Sequence, residues 1–534
     1  MFNFLKRKRP PSASEIISRV FSETLGMDSV DPNANFFELG GDSMLATIVV
    51  ASLDEAGHPL PSTAVFDYPT INGLTHVIES GATPPSAGFA RTIASHPRNS
   101  SGSTRMSASV LQERLWPYER NPDPKRFQPR GEGAILLTGS LNVKALEVSI
   151  SLITERHEVL RSSFSEEANA LHVDIHTGQP VRLEIRHASG DTPELRRADA
   201  AEIVAKATSG TFDLRLGPPS NVALIKLSET EHVLAISMHH IISDGWSMGL
   251  LVNEIAIAYE ALNEDANPGL PDLPYQFADY AAWHREWLTS DAGCTSVDFW
   301  RSYLKGGTPA LEVKLPSDKP RQTTFNFPVR RSAITLDNKV QQDIRSLAKS
   351  AQTSVHTVFF AGFLFAFRRL TDCAELPVGI MHANRNTPGT QNLIGFFSTL
   401  ILLRFEFDGK DDSIVRLIEL VRDTTREVEP HSSVPIGTLL DEGIVDTLPR
   451  VFVDSVPRPS MPSINGLVLE DFPFDHPPLF AVADIALFLF DNGKELSCLL
   501  GTNEDMFSDK AASDLADAIA GSLSNLDPQT DPVD

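Results

Sequence analysis

Cysteine is scarce in this sequence, positive charge is scarce, and no apolar run is long. Only three cysteines stand among 534 residues, Cys294, Cys373 and Cys498. They lie far apart with no metal-ligand spacing, so free thiols in a reducing, cytoplasmic setting are expected. No stretch reaches the roughly 18 consecutive apolar residues of a membrane span, so no membrane association is expected. Lysine and arginine number 46 against 70 aspartates and glutamates, a formal net charge of −24. Such a chain has no broad basic surface, which argues against general nucleic-acid binding. The one basic cluster is the opening "MFNFLKRKRP". No apolar h-region follows it, so it does not read as a signal peptide.

What is present is ordinary for a globular chain of several units. Apolar residues make up 41% and charged residues 22%, and the length favours two to four domains with substantial cores. After a basic tail, residues 1–12, the stretch "SASEIISRVFSETL" opens with an S-x-x-E capping box, Ser12 to Glu15. Ile16, Ile17, Val20, Phe21 and Leu25 then share one helical face. A second helix is expected to start at Ser43, and "PSTAVFDYPTINGLTHVIES" supplies a short turn and one more helix. Three or four helices in about 70 residues make a small bundle over 13–80. Residues 81–106 are rich in Pro, Gly, Ser and Thr and read as a flexible linker. Beyond them, strand-like runs such as "GAILLTG", "HVLAISMHH" and "LILLRFEF" alternate with helical ones such as "VKALEVSISLITERHEVLRSSF" and "TSVHTVFFAGFLFAFRRL". That is an α/β or α+β signature, and its size suggests two lobes, 107–290 and 291–534.

Two stretches carry chemistry. In "FFELGGDS", Ser43 stands at a helix start, where serine most often only caps. Gly40 and Gly41 allow a tight turn that leaves the serine exposed, and Asp42 sets a negative charge beside it. The nucleophile-elbow pattern G-x-S-x-G is absent, so Ser43 reads as a modification acceptor rather than a nucleophile. "FFELGGDSMLA" ahead of "VFDYPTINGL" resembles the peptidyl carrier domain of non-ribosomal peptide synthetases. The resemblance implies that Ser43 bears 4′-phosphopantetheine, attached by a phosphopantetheinyl transferase, with an acyl group held as a thioester. Such a tethered arm raises the effective concentration of substrate at a partner site.

The second stretch is "HVLAISMHHIISDGWS". Two packing histidines with a closing Asp-Gly turn are the bland reading. A shared metal is disfavoured, because consecutive strand residues point to opposite faces. One ring, His239 or His240, then faces a site and the other the core. The H-H-x-x-x-D-G pattern resembles the condensation domain of the same synthetases, and more loosely the coenzyme A-dependent acyltransferases of the chloramphenicol-acetyltransferase-like fold. "SVLQERLW", "ERHEVLRSSF", "FDLRLGPP", "YQFADYAAWHREW" and "LPVGIMHANRN" follow the family order. The resemblance implies a catalytic set of His239, His240, Asp244 and Gly245. His240 would act as general base or hydrogen-bond positioner and Gly245 N–H as an oxyanion donor. Asp244 would pair with Arg385 across the lobes.

The family implies acyl transfer from the carrier to an amine or alcohol, giving an amide or ester in secondary-metabolite biosynthesis. No adenylation, thioesterase or ketosynthase segment is legible, so a separate acyl-loading enzyme or synthetase is expected. The acceptor would be a second carrier protein or a free small-molecule nucleophile. Departures cluster late. Ser398, Thr399 and Leu400 follow "IGFF" where Val-Asn-Thr is usual; Ser432 and Ser433 replace Gln-Asp, and Ile436 and Gly437 replace Phe-Glu. These suggest a reshaped tunnel and a free acceptor. An epimerase shares the double-histidine pattern, although "DGWS" favours condensation. A non-catalytic module that recruits carriers is the alternative from another class, against which the intact histidines and Asp244 weigh.

Overall fold

The computed structural model describes residues 11–27, 29–41, 43–80, 93–119, 128–178, 181–305, 315–320, 329–371, 373–407, 413–457, 461–474, 483–491 and 495–526. Most of the basic tail, Asp42, and 81–92 of the expected linker lie outside the described residues.

The first unit is a helical bundle. Helix Ala13–Leu25 is capped by the expected box: Ser12 N donates to Glu15 Oε2 at 2.7 Å, and Glu15 N donates to Ser12 Oγ at 3.3 Å. It ends at Gly26 with φ 65°, a left-handed cap that glycine adopts without strain. Helices Ser43–Glu55, Ala64–Asp67 and Ile71–Ser80 complete the bundle around Ile17, Phe21, Phe36, Val49, Leu53, Val65 and Leu74. The turn before Ser43 needs its glycines. Gly40 has φ 97°, and a Cβ on Gly41 would stand 2.3 Å from the Phe36 ring.

The larger unit has two lobes built on separate sheets. The first sheet has five strands in the order Leu467–Asp471, Arg130–Gly139, Glu231–His239, Ser220–Lys226, Leu183–His187. All neighbours pair antiparallel except the last two. The second sheet has six strands, in the order Thr399–Glu406, Glu375–His382, Val451–Pro457, Ile485–Asp491, Leu496–Asn503, Val329–Ile334. Helices pack on both, among them Gly245–Asn263, Phe277–Leu288, Val355–Thr371 and Ile414–Val428. The mixture of sheets and helices agrees with the α/β, two-lobed expectation.

Three boundaries differ from the pattern-based ones. Strand Leu467–Asp471, from the C-terminal lobe, joins the N-terminal sheet beside Ile135–Gly139 and so covers an edge that would otherwise expose unpaired backbone groups. The expected linker is anchored from residue 93 onward: Ile93 is buried and Ser103–Ser107 is a strand paired with His172–His176. Arg98 donates to both Glu158 and the buried Asp279, a partner set that composition does not reveal. The helical run from Val143 stops at Arg156, and Ser162–Glu167 is a strand paired to Ala170–Ile175. His157 turns extended at φ −104°, ψ 102°, which ends the helix.

Candidate active site

Strand Glu231–His239 delivers the histidine pair to the seam between lobes. His239, fully buried, is the last strand residue; its Nδ1 accepts from Ile241 N at 3.0 Å, and its Nε2 points toward Glu119 at 3.6 Å. Phe212 stands edge-on to it at 6.1 Å. The ring therefore braces the turn from inside. His240 begins a 3-10 turn and faces the other way, half-buried, with Phe396 6.5 Å from it. Its Nδ1 lies 3.2 Å from Ser243 O. A carbonyl only accepts, so Nδ1 carries the proton and Nε2 is left with a free lone pair. Burial, the largest influence, pulls the His240 pKa below its ordinary 6.5, and the Ser243 carbonyl and Asp244 only partly offset it. A neutral imidazole with an open Nε2 can accept a proton or a hydrogen bond.

Asp244 does not join His240. It caps helix Gly245–Asn263, accepting from Ser247 N at 2.8 Å. Arg385 Nη2 donates to its two oxygens at 2.9 and 3.1 Å, and Phe397 N donates to Oδ2 at 3.1 Å. Arg385 is wholly buried, lies over the Phe397 ring at 4.2 Å, and donates through Nη1 to Thr390 O and Leu393 O. Burial lowers the Arg385 pKa while Asp244 raises it. Gly245 follows at the first helical position and is exposed; a Cβ there would meet nothing within 4 Å. As the first residue of the helix it has an N–H without an intrahelical partner.

Sequence reasoning passed over several residues that hold this arrangement. Ser247 Oγ lies 2.7 Å from Asp244 Oδ1 and 2.9 Å from Gly395 O, and accepts from Arg385 Nη2 at 3.0 Å. His157 Nε2 meets Glu254 Oε2 at 2.7 Å, and Ile394 N donates to His157 Nδ1. Glu254 sits among Leu251, Ile255, Ala258 and Tyr259 on the buried side of its helix; an acid on an apolar face was the signal available. The substituted positions are placed as well. Ser432 and Ser433 are buried, and Ser433 Oγ donates to Asn384 Oδ1, one residue from Arg385. Thr399 Oγ1 donates to Ser432 O, and Ser398 is half-buried. Gly437 leaves room for Arg114, whose Nη2 donates to its carbonyl at 2.7 Å; a Cβ there would stand 2.7 Å from Arg114 Nε.

Ser43 opens helix Ser43–Glu55 shortly after the Gly40–Gly41 turn. Ala46, Val49, Val50 and Leu53 of this helix belong to the bundle core. Thr47, Ile48 and Ala51 lie outside that core and yet are buried. Contacts with the larger unit run along this side of the bundle. Thr47 Oγ1 reaches Glu429 at 3.5 Å, Gln391 Nε2 donates to Glu55 Oε2 at 3.0 Å, Lys349 pairs with Glu38 at 3.6 Å, and Arg426 pairs with Asp67. Ser43, Thr47, Ala51 and Glu55 are spaced i, i+4 along the helix, and Thr47 and Glu55 of that row meet the C-terminal lobe.

Among the described residues no helix is long and apolar enough to cross a membrane, and no three His, Cys, Asp or Glu residues group as metal ligands.

Comparison with known proteins places both units. The family model described as "Condensation domain" matches residues 103–447, and that described as "Phosphopantetheine attachment site" matches 15–78. A linear gramicidin synthase protein of Brevibacillus parabrevis is 32% identical over 433 residues, 80% of this chain and 8% of that protein. Cyclosporin synthetase of Tolypocladium inflatum is 30% identical over 505 residues, 92% of this chain and 3% of that protein. The chain thus spans less than a tenth of these relatives. Among solved structures, the X-domain from teicoplanin biosynthesis aligns with a TM-score of 0.69 at 23% identity, covering 82% of this chain and 97% of that one. The first condensation domain of the CDA synthetase aligns at 0.66 and 17%, covering 80% and 97%. The epimerization domain of tyrocidine synthetase B aligns at 0.66 and 16%, covering 81% and 98%. At these identities the structural likeness speaks to fold alone.

Proposed function

Because the chain belongs to the condensation-domain family and carries a phosphopantetheine attachment domain ahead of it, we propose that it transfers an acyl group from its own carrier to an amine or alcohol. It is a carrier–condensation didomain of the non-ribosomal peptide synthetase type, and a phosphopantetheinyl transferase installs its cofactor. The observation that carries the catalytic reading is His240: a neutral, half-buried imidazole whose Nδ1 is spent on Ser243 O, leaving Nε2 for substrate.

Ser43 would hold the 4′-phosphopantetheine, which supplies the thiol that carries the acyl group as a thioester. His240 Nε2 accepts the proton of the attacking nitrogen or oxygen, or orients it, as the new C–N or C–O bond forms and the C–S bond breaks; that proton ends on the departing sulfur, which leaves as the thiol of the arm. Its lowered pKa keeps it competent at neutral pH. Gly245 N–H, at the first position of its helix, would donate to the carbonyl oxygen as it gains charge. Asp244 and Arg385 touch no reactant in this reading; they are positioning residues that fix the turn carrying His240. His239 braces the same turn from the core. The acyl group is delivered to the carrier by a loading activity, and the acceptor is a free small molecule or a second carrier. The Ser432–Ser433 and Ser398–Thr399 replacements, on the inter-lobe side of Arg385, favour the free acceptor. Epimerisation has in its favour only the shared fold and the shared double-histidine pattern, and "DGWS" after the histidines favours condensation.

The experiment loads the full-length protein with acyl-coenzyme A and a broad phosphopantetheinyl transferase, then follows intact mass after adding amine or alcohol acceptors. Unmodified protein gains one acyl-phosphopantetheine and loses the acyl group to acceptor, while Ser43→Ala gains nothing. His240→Ala loads normally and discharges ~10²–10⁴-fold more slowly, the range expected of a lost general base. Modification of Ser43→Ala, or equal discharge by His240→Ala, refutes the corresponding assignment.

A further inference from the structure

We infer that Gln391 is a positioning residue that makes the Asp244–Gly245–Trp246 turn responsive to whether the carrier is seated. Two hydrogen bonds of one residue carry this. Gln391 Nε2 donates to Glu55 Oε2 of the carrier helix at 3.0 Å, and Gln391 O accepts from Trp246 Nε1 at 2.9 Å. Glu55 ends the row that begins at Ser43, and Trp246 immediately follows Gly245. One residue thus touches both the carrier and the turn that presents the candidate active-site groups.

The packing around Gln391 transmits a shift of its side chain to its backbone. It lies in a 3-10 turn, Thr390–Asn392, and is 8% exposed. Arg385 Nη1 holds that turn from both ends, through Thr390 O at 2.6 Å and Leu393 O at 2.7 Å. Gly389 enters it at φ 86°, and a Cβ there would stand 2.9 Å from the Tyr275 hydroxyl. The turn is therefore clamped, with little slack except at Gln391 itself. The Gln391 Oε1 atom is buried without a hydrogen-bond partner among the described residues. Its amide is satisfied only through Glu55, in a charge-assisted bond. When the carrier leaves, Nε2 loses its partner and both polar ends of the amide stand unsatisfied, and the side chain must turn toward solvent to satisfy them. That rearrangement pulls on the carbonyl to which the Trp246 indole is bonded. A carrier that has left the lobe would so relax the turn, and a carrier that has returned would set it.

The consequence for turnover rests on the proposed acyl transfer; the coupling itself does not, and the test separates them. Full-length protein is labelled with 15N-tryptophan, and the Trp246 indole resonance, one of five, is assigned with Trp246→Phe. Glu55→Ala and Gln391→Glu, the latter setting two carboxylates against each other, should each move the Trp246 resonance. The exchanged pair Glu55→Gln with Gln391→Glu keeps one amide facing one carboxylate and should bring it back. In parallel, turnover is measured with a soluble acyl thioester of N-acetylcysteamine, which bypasses Ser43. The single variants should lower kcat about five-fold, about 1 kcal/mol of barrier, with KM unchanged, and the exchanged pair should recover to within about two-fold. An unmoved Trp246 resonance in Glu55→Ala, or no recovery in the exchanged pair, overturns the inference. Absence of turnover in the unmodified protein counts against the proposed function alone, because the resonance reports the coupling without any reaction.

Discussion

Two junctions hold this molecule together, and they are built differently. Between the lobes, Asp244 and Arg385 are 5% and 0% exposed, and each makes several further hydrogen bonds to backbone and to Ser247. Between carrier and C-terminal lobe, the ion pairs are single and their basic partners reach solvent: the Lys349 side chain is 71% exposed where it meets Glu38, and Arg426 is 47% exposed where it meets Asp67. Removing one partner of a buried ion pair strands the other charge away from water, so the inter-lobe knot forms with the fold and stays. Exposed pairs hold weakly and are screened by salt. A carrier that must receive its acyl group elsewhere needs the second kind of junction, and a fixed site needs the first.

The largest effect should come from cutting the knot. Arg385→Ala leaves Asp244 buried and unpaired and should destabilise the larger unit by about 3–5 kcal/mol in denaturant titration. Asp244→Ala with Arg385→Ala should lose less than the sum of the single losses; strict additivity would mean the pair is not coupled. Acid should act on the same junction. His284 is buried, stacked between Tyr280 and Trp287, with Nε2–H donating to Ser433 O of the other lobe. Burial pulls its pKa down from 6.5 to about 4. The unfolded chain takes up this proton below 6.5 and the folded chain only near 4, so the contribution is whole above 6.5 and is lost progressively between the two. For this one group the loss approaches ~3 kcal/mol at the acid end. Thermal melts at about pH 7.5 and about pH 5, on either side of the ordinary histidine pKa, should show the fall, and His284→Phe should flatten it. If the melting point is indifferent to pH in that window, the buried neutral histidine is misassigned.

The smallest effect belongs to the carrier junction. Arg426→Glu, or a rise to molar salt, should weaken seating by about 0.5–1 kcal/mol per exposed pair. Small-angle scattering should then show the carrier displaced while the denaturation midpoint of the larger unit holds. A seating equally resistant to salt and to Arg426→Glu would make the two junctions alike and remove the contrast.

The elements with strong local signals were legible in order. The capping box at Ser12, the glycines before Ser43 and the strand into the histidine pair are local rules, and the helix and strand stand where those rules place them. The run "ERHEVLRSSF" misled, because its apolar spacing continues past Arg156 while Ser162–Glu167 is drawn into a strand by pairing with Ala170–Ile175. The linker composition misled too, because Arg98 finds Asp279 and Glu158, which lie far along the chain. Glu55 and Gln391 gave no signal at all. Each is an ordinary polar residue in its own segment, and their meeting depends on how two separately folded units come together.

By itself the sequence determined the two units, the family of each, and the residues on which the proposed chemistry rests: a serine after two glycines, and a histidine pair with its aspartate. These are properties of short windows, where backbone freedom, capping and side-chain chemistry act over a few bonds. Only the tertiary structure decided that His239 faces the core and His240 the seam, with Nδ1 spent on Ser243 and Nε2 left open. Only it decided that Arg385 closes on Asp244, and that Thr47 and Glu55 of the row beginning at Ser43 meet the lobe carrying Gln391. Those facts depend on distances between residues far apart along the chain. Such distances are set by the packing of whole lobes, a sum of many weak contacts that no single window contains.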